Sequence, residues 1–476
     1  MATSRRSDEE SLDIGGLRWR GRLLSSDRVH RLLTRLGASV QENPRLTRVL
    51  VADRRGAALR VLRWAHEAGV EVVALVQPEE DQELWQEAFD YTVPARRTGA
   101  GRWPDPRHVV SVLHDAGCDG VHPGWGEAAR SPLLVEQLTF SGVAWAGPGR
   151  EALGLAVDRG VSLIRAIEAD IPVVPHSGPI ADLHLARAWV NRVGFPVRIR
   201  PVDIEIGHPR PVLRTQGDFE DMMPKWLRIG PCVLERQVEQ AREIEVPVAI
   251  DGSGHGVAIG DRDVTARAGR RHLVVEAPAP RLSDALRTDL AKKAVAFARA
   301  LGWVGLATVR FLLAPDSRPY LLQLRPGLQP WHGATEAAFG VDLVDLQMRL
   351  ATRDRARWTE RDIVVQRAAI WTSIIAAGAG QVEAIAAGGG RVDPEVVVGE
   401  FVASGSLLAG MIAQAPSRQA AIVRLRSWMD EDPIRGVPVE RADLDALVGS
   451  QRWWMSPLSR EAVAEVLQAP STTVDH

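Results

Sequence analysis

The sequence has few cysteines, lysines and tyrosines and no long apolar run. Its two cysteines, Cys118 and Cys232, are far apart and lack metal-ligand spacing, so neither a disulfide framework nor a zinc site is expected. No window of about 18 apolar residues predicts a membrane span, and the opening MATSRRSDEESLD lacks the apolar segment of a secretory signal. We therefore expect a cytoplasmic protein without a membrane segment.

The charge balance is almost neutral. The 58 basic and 60 acidic residues leave a formal net charge of −2, which provides no overall field to attract nucleic acid or anionic lipid. Only Lys225, Lys292 and Lys293 are lysines, and the other basic residues are arginines. An arginine at a position where lysine is usual can therefore reflect composition, whereas an arginine in place of glutamate cannot.

Strand and helix patterns alternate after about residue 45. The apolar stretches 48–53 and 70–76 predict buried strands, and residues 56–69 between them have apolar side chains at helical spacing. Such alternation predicts βαβ units and a parallel sheet with helices on both faces. From about residue 151 the pattern changes to α+β, and residues 25–40 before the first strand predict a weak helix.

The run VLVADRRGAALRVLRWAHEAGVEVVALV resembles the first βαβ unit of biotin carboxylases, which belong to the ATP-grasp superfamily. DGVHPGWG, VAWAGPGREAL, IPVVPHSGPI, GDRDVTARAGRRHLVVEAPAP and SGSLLAGMIAQAPSRQAAIVRLRSWM continue the resemblance in order, from about residue 46 to about residue 455. The resemblance implies a mixed α/β and α+β fold. The expected parts are an N-terminal extension (1–44), a Rossmann-like N-terminal domain (45–150), an ATP-grasp domain (151–340) with a lid (about 172–238), and a C-terminal biotin-carboxylase-type domain (341–476).

The resemblance places metal ligands at three positions where this sequence differs. The family has two glutamates and an asparagine at the positions of Arg310, Gln323 and Arg325. Magnesium requires oxygen ligands. A guanidinium about 4 Å from a divalent ion would cost roughly 8 kcal/mol at an effective dielectric constant of about 20. No metal site of the family's kind is therefore expected.

The positions for carboxylation chemistry are also replaced. The resemblance aligns a bicarbonate-orienting arginine with Gly327 and the glutamate base with Trp331. A second arginine aligns with Ser373, a lysine aligns with His272, and Gln329 is retained. Tryptophan cannot act as a general base, so no catalytic residue is expected.

Some nucleotide-binding positions keep their charge. Two family lysines align with Arg159 and Arg200, and Glu235 stands where the adenine-binding hinge begins. The family's glycine-rich loop is replaced by PVDIEIGHPRP, in which Gly207 is the only glycine. This segment cannot reproduce the backbone N–H groups that surround the phosphates in the family. We therefore expect no cofactor and regard binding of ATP and magnesium as doubtful.

Two interpretations remain open for the new side chains. Arg310 and Arg325 either form a metal-free anion site or, as we favour, pair with local carboxylates such as Glu235 or Glu336. Trp331 either stacks on a ligand or, as we favour, fills a vacated pocket. His272 and His332 have no paired nucleophile, so new acid–base chemistry is not expected there. HPGWG is expected to be a structural turn.

The favoured hypothesis is a catalytically degenerate biotin carboxylase homologue with a structural or regulatory role in an acyl-CoA carboxylase-type complex. It would form a homodimer, or a heterodimer with an active paralogue, and dock a carboxyltransferase or a biotin carrier protein. One alternative is an enzyme that binds nucleotide or an acyl-CoA-type anion with changed chemistry. The other is an active ATP-dependent biotin carboxylase.

Overall fold

A computed structural model describes residues 11–14, 17–20, 46–77, 80, 82–98, 103–202, 211–352, 359–386, 390–431 and 433–468. The chain divides into Met1–Arg45 and a compact unit, Leu46–His476. In the first unit, strands β1 (Ser11–Ile14) and β2 (Leu17–Arg20) pair antiparallel. The helix predicted over residues 25–40 lies outside the described residues, as does Gly207. Among the described helices, none is long and apolar enough to cross a membrane.

The N-terminal part of the second unit is a parallel sheet in the order β5-β4-β3-β6-β7, as the alternating pattern predicted. The first helix begins at Gly56, buries Val61 and Ala65, and ends where Gly69 adopts a left-handed φ of 68°. The strands are β3 (Arg48–Val51), β4 (Glu71–Val76), β5 (Tyr91–Pro94), β6 (Gly120–His122) and β7 (Ala144–Trp145). The helices are α1 (Gly56–Ala68), α2 (Gln82–Ala88), α3 (Pro106–Asp115) and α4 (Pro132–Leu138), with a 3-10 turn at Ala128–Arg130.

The HPGWG segment is a turn held by one carboxylate. Asp53, at the end of β3, accepts the backbone N–H groups of Trp125 and Gly126 at 2.9 Å each. A Cβ at Gly124 would lie 2.1 Å from Asp53 Oδ2, so only glycine fits there. Burial raises the pKa of Asp53 to about 6. The contacts of this segment are those of a structural turn.

A small antiparallel sheet in the order β10-β9-β11-β8 follows. Its core is formed by Trp189, Val197, Ile199, Phe219 and Leu234. It lies in the region predicted to be the lid. The helices and strands between residues 150 and 236 are α5 (Arg150–Val157), α6 (Arg159–Glu168), β8 (His176–Ile180), α7 (Leu183–Val193), β9 (Val197–Pro201), β10 (Val212–Leu213), α8 (Gln216–Ile229) and β11 (Cys232–Arg236).

The largest sheet has nine strands in the order β19-β18-β12-β14-β17-β20-β25-β23, and β13 pairs with β12. Val274 of β17 pairs with Thr372 of β20, so the sheet continues across residue 340, where the resemblance implied a domain boundary. Its strands are β12 (Arg242–Ile250), β13 (Gly256–Ala258), β14 (Arg262–Asp263), β17 (Val274–Ala277), β18 (Gly305–Leu313), β19 (Pro319–Pro326), β20 (Ala368–Ile375), β23 (Arg391–Pro394) and β25 (Leu407–Ala415).

Helices cover this sheet, and short strand pairs lie beside it. Ser283, Asp342 and Ser417 cap three of the helices through side-chain oxygens. The helices are α9 (Asp284–Ala300), α10 (His332–Phe339), α11 (Leu343–Ala351), α12 (Arg418–Met429), α13 (Ala442–Gly449), α14 (Gln451–Met455) and α15 (Arg460–Gln468), with a 3-10 turn at Glu360–Asp362. The short pairs are β15 (Arg267–Ala268) with β16 (Arg271–His272), β21 (Gly380–Gln381) with β24 (Phe401–Val402), and β22 (Ala384–Ile385) with β26 (Ile434–Arg435).

Candidate functional site

Strand β12 carries two glutamates into a fully buried position. Its sequence REIEV alternates, so Ile244 and Val246 join one hydrophobic core while Glu243 and Glu245 project from the opposite face. Both glutamate side chains are 0% exposed. Because an unpaired buried carboxylate is very costly, these groups require cationic partners.

Arg310 of β18 is the central partner. It lies directly opposite Glu245 in the strand register and donates from Nε to Glu245 Oε1 at 2.9 Å. Its Nη1 donates to Glu243 Oε2 at 3.0 Å. Arg310 thus bridges both glutamates, whereas the carboxylates suggested from sequence, Glu235 and Glu336, pair elsewhere.

Glu245 accepts two further donors. Arg262 Nε lies 2.8 Å from its Oε2, and so does the indole Nε1 of Trp331. Burial alone would raise the pKa of Glu245, but Arg310 and Arg262 hold that pKa well below its ordinary value. Glu245 is therefore a fixed anion with its lone pairs occupied.

Glu243 joins the site to the end of the chain. Besides Arg310, it accepts from Arg267 of β15 and from Arg460 at the start of α15. Burial lowers the pKa of Arg267 to about 10 and that of Arg460 to about 9. The sequence analysis missed Glu243, Glu245 and these two arginines. The signal that could have found the glutamates is a pair of acidic residues alternating inside an apolar strand.

Trp331 is buried in the centre of this group, with 6% of its surface exposed. Its ring centroid lies 4.1 Å from that of His272 and 6.0 Å from that of Trp371. Burial, followed by Arg310, lowers the pKa of His272 well below its usual value, so the imidazole is neutral at pH 7. Ser373 donates to the backbone oxygen of His272 at 3.1 Å. The structure thus brings together Trp331, His272 and Ser373, which are three of the four positions that the resemblance aligned with catalytic residues.

The fourth position, Gly327, follows β19. It has a φ of 57°, and a Cβ there would lie 3.3 Å from the Gln347 side chain, so both conformation and space favour glycine. Gln329, the retained family residue, is 1% exposed and accepts from Arg325 Nη1 at 3.2 Å. The bend at Gly327 therefore leads the chain from Arg325 back to Gln329.

Arg325 differs from Arg310 in its partners. Within the described residues it forms no ion pair with a carboxylate, and its contacts are the amides of Gln329 and Gln323. With the Gln323 oxygen turned towards Arg325, the distance to Nε is 2.7 Å. Burial and the neighbouring Arg310 lower the pKa of Arg325 well below its ordinary value. Of the two arginines predicted as a possible anion site, only Arg325 is without a carboxylate.

The three positions that the resemblance aligned with nucleotide-binding residues contact one another. Arg159, at the start of α6, donates to Glu235 Oε1 through Nε at 2.8 Å, and Arg200 of β9 pairs with the other carboxylate oxygen. Burial would raise the pKa of Glu235, but Arg159 and Arg200 lower it to about 2. Two guanidinium groups thus share a single carboxylate.

Glu336 belongs to a separate buried network. It pairs with Arg60 of α1 at 2.8 Å and with Arg391 of β23 at 2.6 Å. His332 lies 3.9 Å from Glu336, and burial lowers the pKa of His332 to about 4. These contacts fasten the N-terminal sheet to the C-terminal part of the chain, and they give His332 a structural environment.

The side chains present determine whether a metal ion could be held at this site. Among the described residues, no group of three or more His, Cys, Asp or Glu side chains could hold a metal ion. Magnesium in nucleotide sites is typically held by one or two carboxylates together with phosphate oxygens, so a protein-only cage is not required. Glu243 and Glu245 are the carboxylates nearest to Arg310, and both are engaged by guanidinium groups.

Comparison with known proteins identifies two matching regions. Residues 45–153 match the biotin carboxylase N-terminal domain, and residues 158–357 match the ATP-binding domain of the carbamoyl-phosphate synthase L chain. The chain is 29% identical to a chloroplastic biotin carboxylase of Arabidopsis thaliana, over 82% of this chain and 77% of that protein. It is 28% identical to the biotin-dependent acyl-coenzyme A carboxylase alpha3 subunit of Mycobacterium leprae, over 85% of this chain and 72% of that protein.

Solved structures share the fold. The biotin carboxylase domain dimer of 2-oxoglutarate carboxylase from Hydrogenobacter thermophilus superposes with a TM-score of 0.83 at 24% identity. The match covers 89% of this chain and 99% of that domain. That structure contains MgADP, ADP and bicarbonate.

These comparisons correct the expectation that no cofactor is bound and that binding of ATP and magnesium is doubtful. A structure with this fold holds MgADP, and the arginines at the replaced positions do not by themselves demonstrate loss of binding. The expectation was wrong because it treated the side chains as the whole metal site, whereas nucleotide phosphates supply ligands too.

The βαβ units, the nine-stranded sheet, the two matched regions and the relatives agree with one another. The chain is a homologue of biotin carboxylases over most of its length.

Proposed function

We propose that this chain is a biotin carboxylase homologue that no longer carboxylates biotin and acts as a structural or regulatory subunit of an acyl-CoA carboxylase-type complex. The observation that carries the proposal is the position of Trp331. Its indole N–H is bonded to Glu245 at 2.8 Å, and its ring packs on His272. A group that should remove a proton from bicarbonate is replaced by one that can only donate.

The surroundings of Trp331 support the same conclusion. His272 is buried and neutral, and its ring is in contact with Trp331. Ser373 is short, and its hydroxyl is bonded to a backbone oxygen. Neither side chain supplies the positive charge that the family's lysine and arginine would bring to bicarbonate, so substrate orientation as well as proton removal is impaired.

The buried ion pairs favour a scaffolding role. Arg310, Glu243 and Glu245 form a buried group in which the charges neutralise one another. Removing one partner of such a group is costly, so the network stabilises the fold. We further propose a cytoplasmic dimer, formed with a second copy or with an active paralogue, that binds a carboxyltransferase or biotin carrier protein.

The activity test uses the purified full chain with ATP, magnesium, bicarbonate and free biotin. We expect no carboxybiotin above a protein-free control, while an active family member assayed in parallel produces it. Phosphate release that depends on both biotin and bicarbonate, together with carboxybiotin formation, would refute the proposal. Affinity purification from the native cell tests the partner claim, which fails if no carboxylase subunit is recovered.

A second candidate function is nucleotide or acyl-CoA-type anion binding with changed chemistry. Arg325 favours it, because this largely buried guanidinium has no carboxylate partner in the described part of the chain. Calorimetric titration with ATP, with and without magnesium, tests it. We expect Arg325→Gln to weaken binding at least about tenfold, as loss of a charge-assisted hydrogen bond would. Arg452→Gln, at an exposed surface ion pair, is the matched control. Equal affinities for both variants would exclude Arg325 as the anion ligand.

A further inference from the structure

A cleft of ≈ 590 Å³ lies between α9 and the β12–β13 hairpin, and nothing in the proposed function uses it. One wall is a stripe of the helix at helical spacing, and the other is the β12–β13 hairpin with the segment that follows residue 358. The lining residues are Lys292, Val295, Ala296, Arg299, His255, Gly256, Val257, Thr359 and Arg361.

The floor of the cleft is apolar. Val257 and Val295 are 1% and 8% exposed, and Ala296 beside them is partly exposed. A Cβ at Gly256 would lie 3.0 Å from a methyl group of Val295, which means that glycine allows the helix and hairpin to approach closely. The volume lies within the range of about 300–1,000 Å³ that is usual for small-molecule sites.

The described part of the rim is cationic, and no acidic side chain is among its lining residues. Lys292, Arg299 and Arg361 line the cleft, and within the described ranges none of them forms an ion pair with a carboxylate. Arg299 Nε instead donates to the backbone oxygen of Gly254 at 2.8 Å. This pattern differs from that of Arg310, whose charge is neutralised by two glutamates.

The nearby carboxylates are engaged with other groups. Asp289 pairs with Lys293 on the same helix. Asp251 accepts from the backbone of Ser253 and of His255, and Asp362 accepts from Thr359. Among the described residues, these carboxylates therefore do not neutralise the positive charge of the rim.

A backbone donor completes the cleft wall. In the hairpin, the N–H of Asp251 bonds to the oxygen of His255 and the N–H of Ile259 to the oxygen of Pro247, which fixes the hydrogen-bonded pairs. Gly256 falls between these pairs, so its N–H points away from β12. Gly256 lines the cleft beside the cationic rim.

We propose that this cleft binds a small phosphate-bearing molecule with an apolar body. The phosphate lies on the Lys292, Arg299 and Arg361 rim, because guanidinium and ammonium groups are the usual protein donors to phosphate. The apolar body lies against Ala296 and Val295. The lining residues do not include Trp331 or Arg325, so the proposal does not depend on the proposed function.

The test is calorimetric titration of the full chain with 1-naphthyl phosphate, an aromatic phosphate monoester. We expect saturable binding that is at least about tenfold tighter than that of inorganic phosphate, because the ring covers apolar surface. The uncharged 1-naphthol should bind at least about tenfold more weakly than its phosphate. No saturation by 1-naphthyl phosphate up to about 10 mM would overturn the proposal, as would affinity equal to that of 1-naphthol.

Two variants and two controls locate the binding. Lys292→Glu and Arg361→Glu should each weaken 1-naphthyl phosphate binding at least about tenfold, because each replaces an attraction with a repulsion. Lys225→Glu makes the same change at an exposed lysine outside the cleft, and it should leave affinity unchanged. Arg325→Gln should also leave it unchanged. Binding that survives both cleft variants but is lost in Arg325→Gln would assign the ligand to the other site and refute the proposal.

Discussion

Arg310 and Glu245 face each other across β18 and β12 and form a buried ion pair, and Arg310 also reaches Glu243. The three side chains are between 0% and 2% exposed. At the position where the resemblance implied a metal-binding glutamate, this chain has a cation that pairs with two carboxylates of β12.

Replacing Arg310 with methionine should destabilise the protein by about 3–5 kcal/mol, because it leaves two buried carboxylates short of a partner. Urea unfolding followed by circular dichroism measures the free energy of unfolding. The control is Arg165→Met, which removes an exposed pair with Glu168. It should change the free energy by less than about 1 kcal/mol. A loss below about 1 kcal/mol for Arg310→Met would show that the buried pair does not stabilise the fold.

Trp331→Ala should cost about 3–5 kcal/mol, since it creates a cavity beside His272 and removes a donor to Glu245. Trp331→Phe keeps most of the volume and should cost about 1–3 kcal/mol through the lost hydrogen bond. The control is Phe401→Ala, whose side chain is 71% exposed, and thermal or urea unfolding compares the three. Equal stability of Trp331→Ala and the native chain would mean that the indole does not fill the pocket.

Local patterns were enough to predict much of the fold. Apolar runs and helical spacing identified β3, α1 and β4, because each of these elements forms its pattern within about 30 consecutive residues. The continuous nine-stranded sheet could not be predicted in this way. Its joint between Val274 and Thr372 depends on a pairing of residues 98 positions apart, which has no local signal.

The site was predicted in outline and missed in detail. Resemblance to the family located Arg310, Trp331, His272 and Ser373, and the structure brings them into one region. It did not identify the partners of Arg310, because the choice between Glu245 and Glu336 depends on strand register and not on sequence distance.

The sheet joint predicts that the compact unit unfolds as one body. Fragment 341–476 would expose the edge of β20 that normally pairs with β17, so it should be unfolded or aggregated when expressed alone. In the full chain, urea transitions followed by tryptophan fluorescence and by far-ultraviolet circular dichroism should coincide. Two separated transitions, or a soluble folded fragment with native-like dichroism, would show that the C-terminal part is an independent domain.

A buried glutamate makes stability depend on pH. Burial raises the pKa of Glu395 to about 7, although the backbone N–H of Gly56 donates to it at 3.0 Å and Arg55 opposes the rise, while Asp53 and Asp393 add to it. Because the folded-state pKa lies above the unfolded value of 4.5, the native state binds more protons between these values. The contribution of Glu395 to the free energy of unfolding is therefore largest below about pH 4.5, and it is lost as the pH rises towards 7.

Glu395→Gln should remove that dependence. The difference in unfolding free energy between the variant and the native chain should shift in favour of the variant by a few kcal/mol from pH 5 to pH 8, since one pKa unit corresponds to about 1.4 kcal/mol. Urea unfolding at several pH values measures it, and Glu431→Gln, at a surface carboxylate whose side chain is exposed, is the control. Asp53, with its pKa raised to about 6, titrates in both proteins, so the difference contains Glu395 and its coupling to Asp53. A difference that stays constant with pH would mean that Glu395 is ionised throughout this range and that its burial is compensated by Arg55.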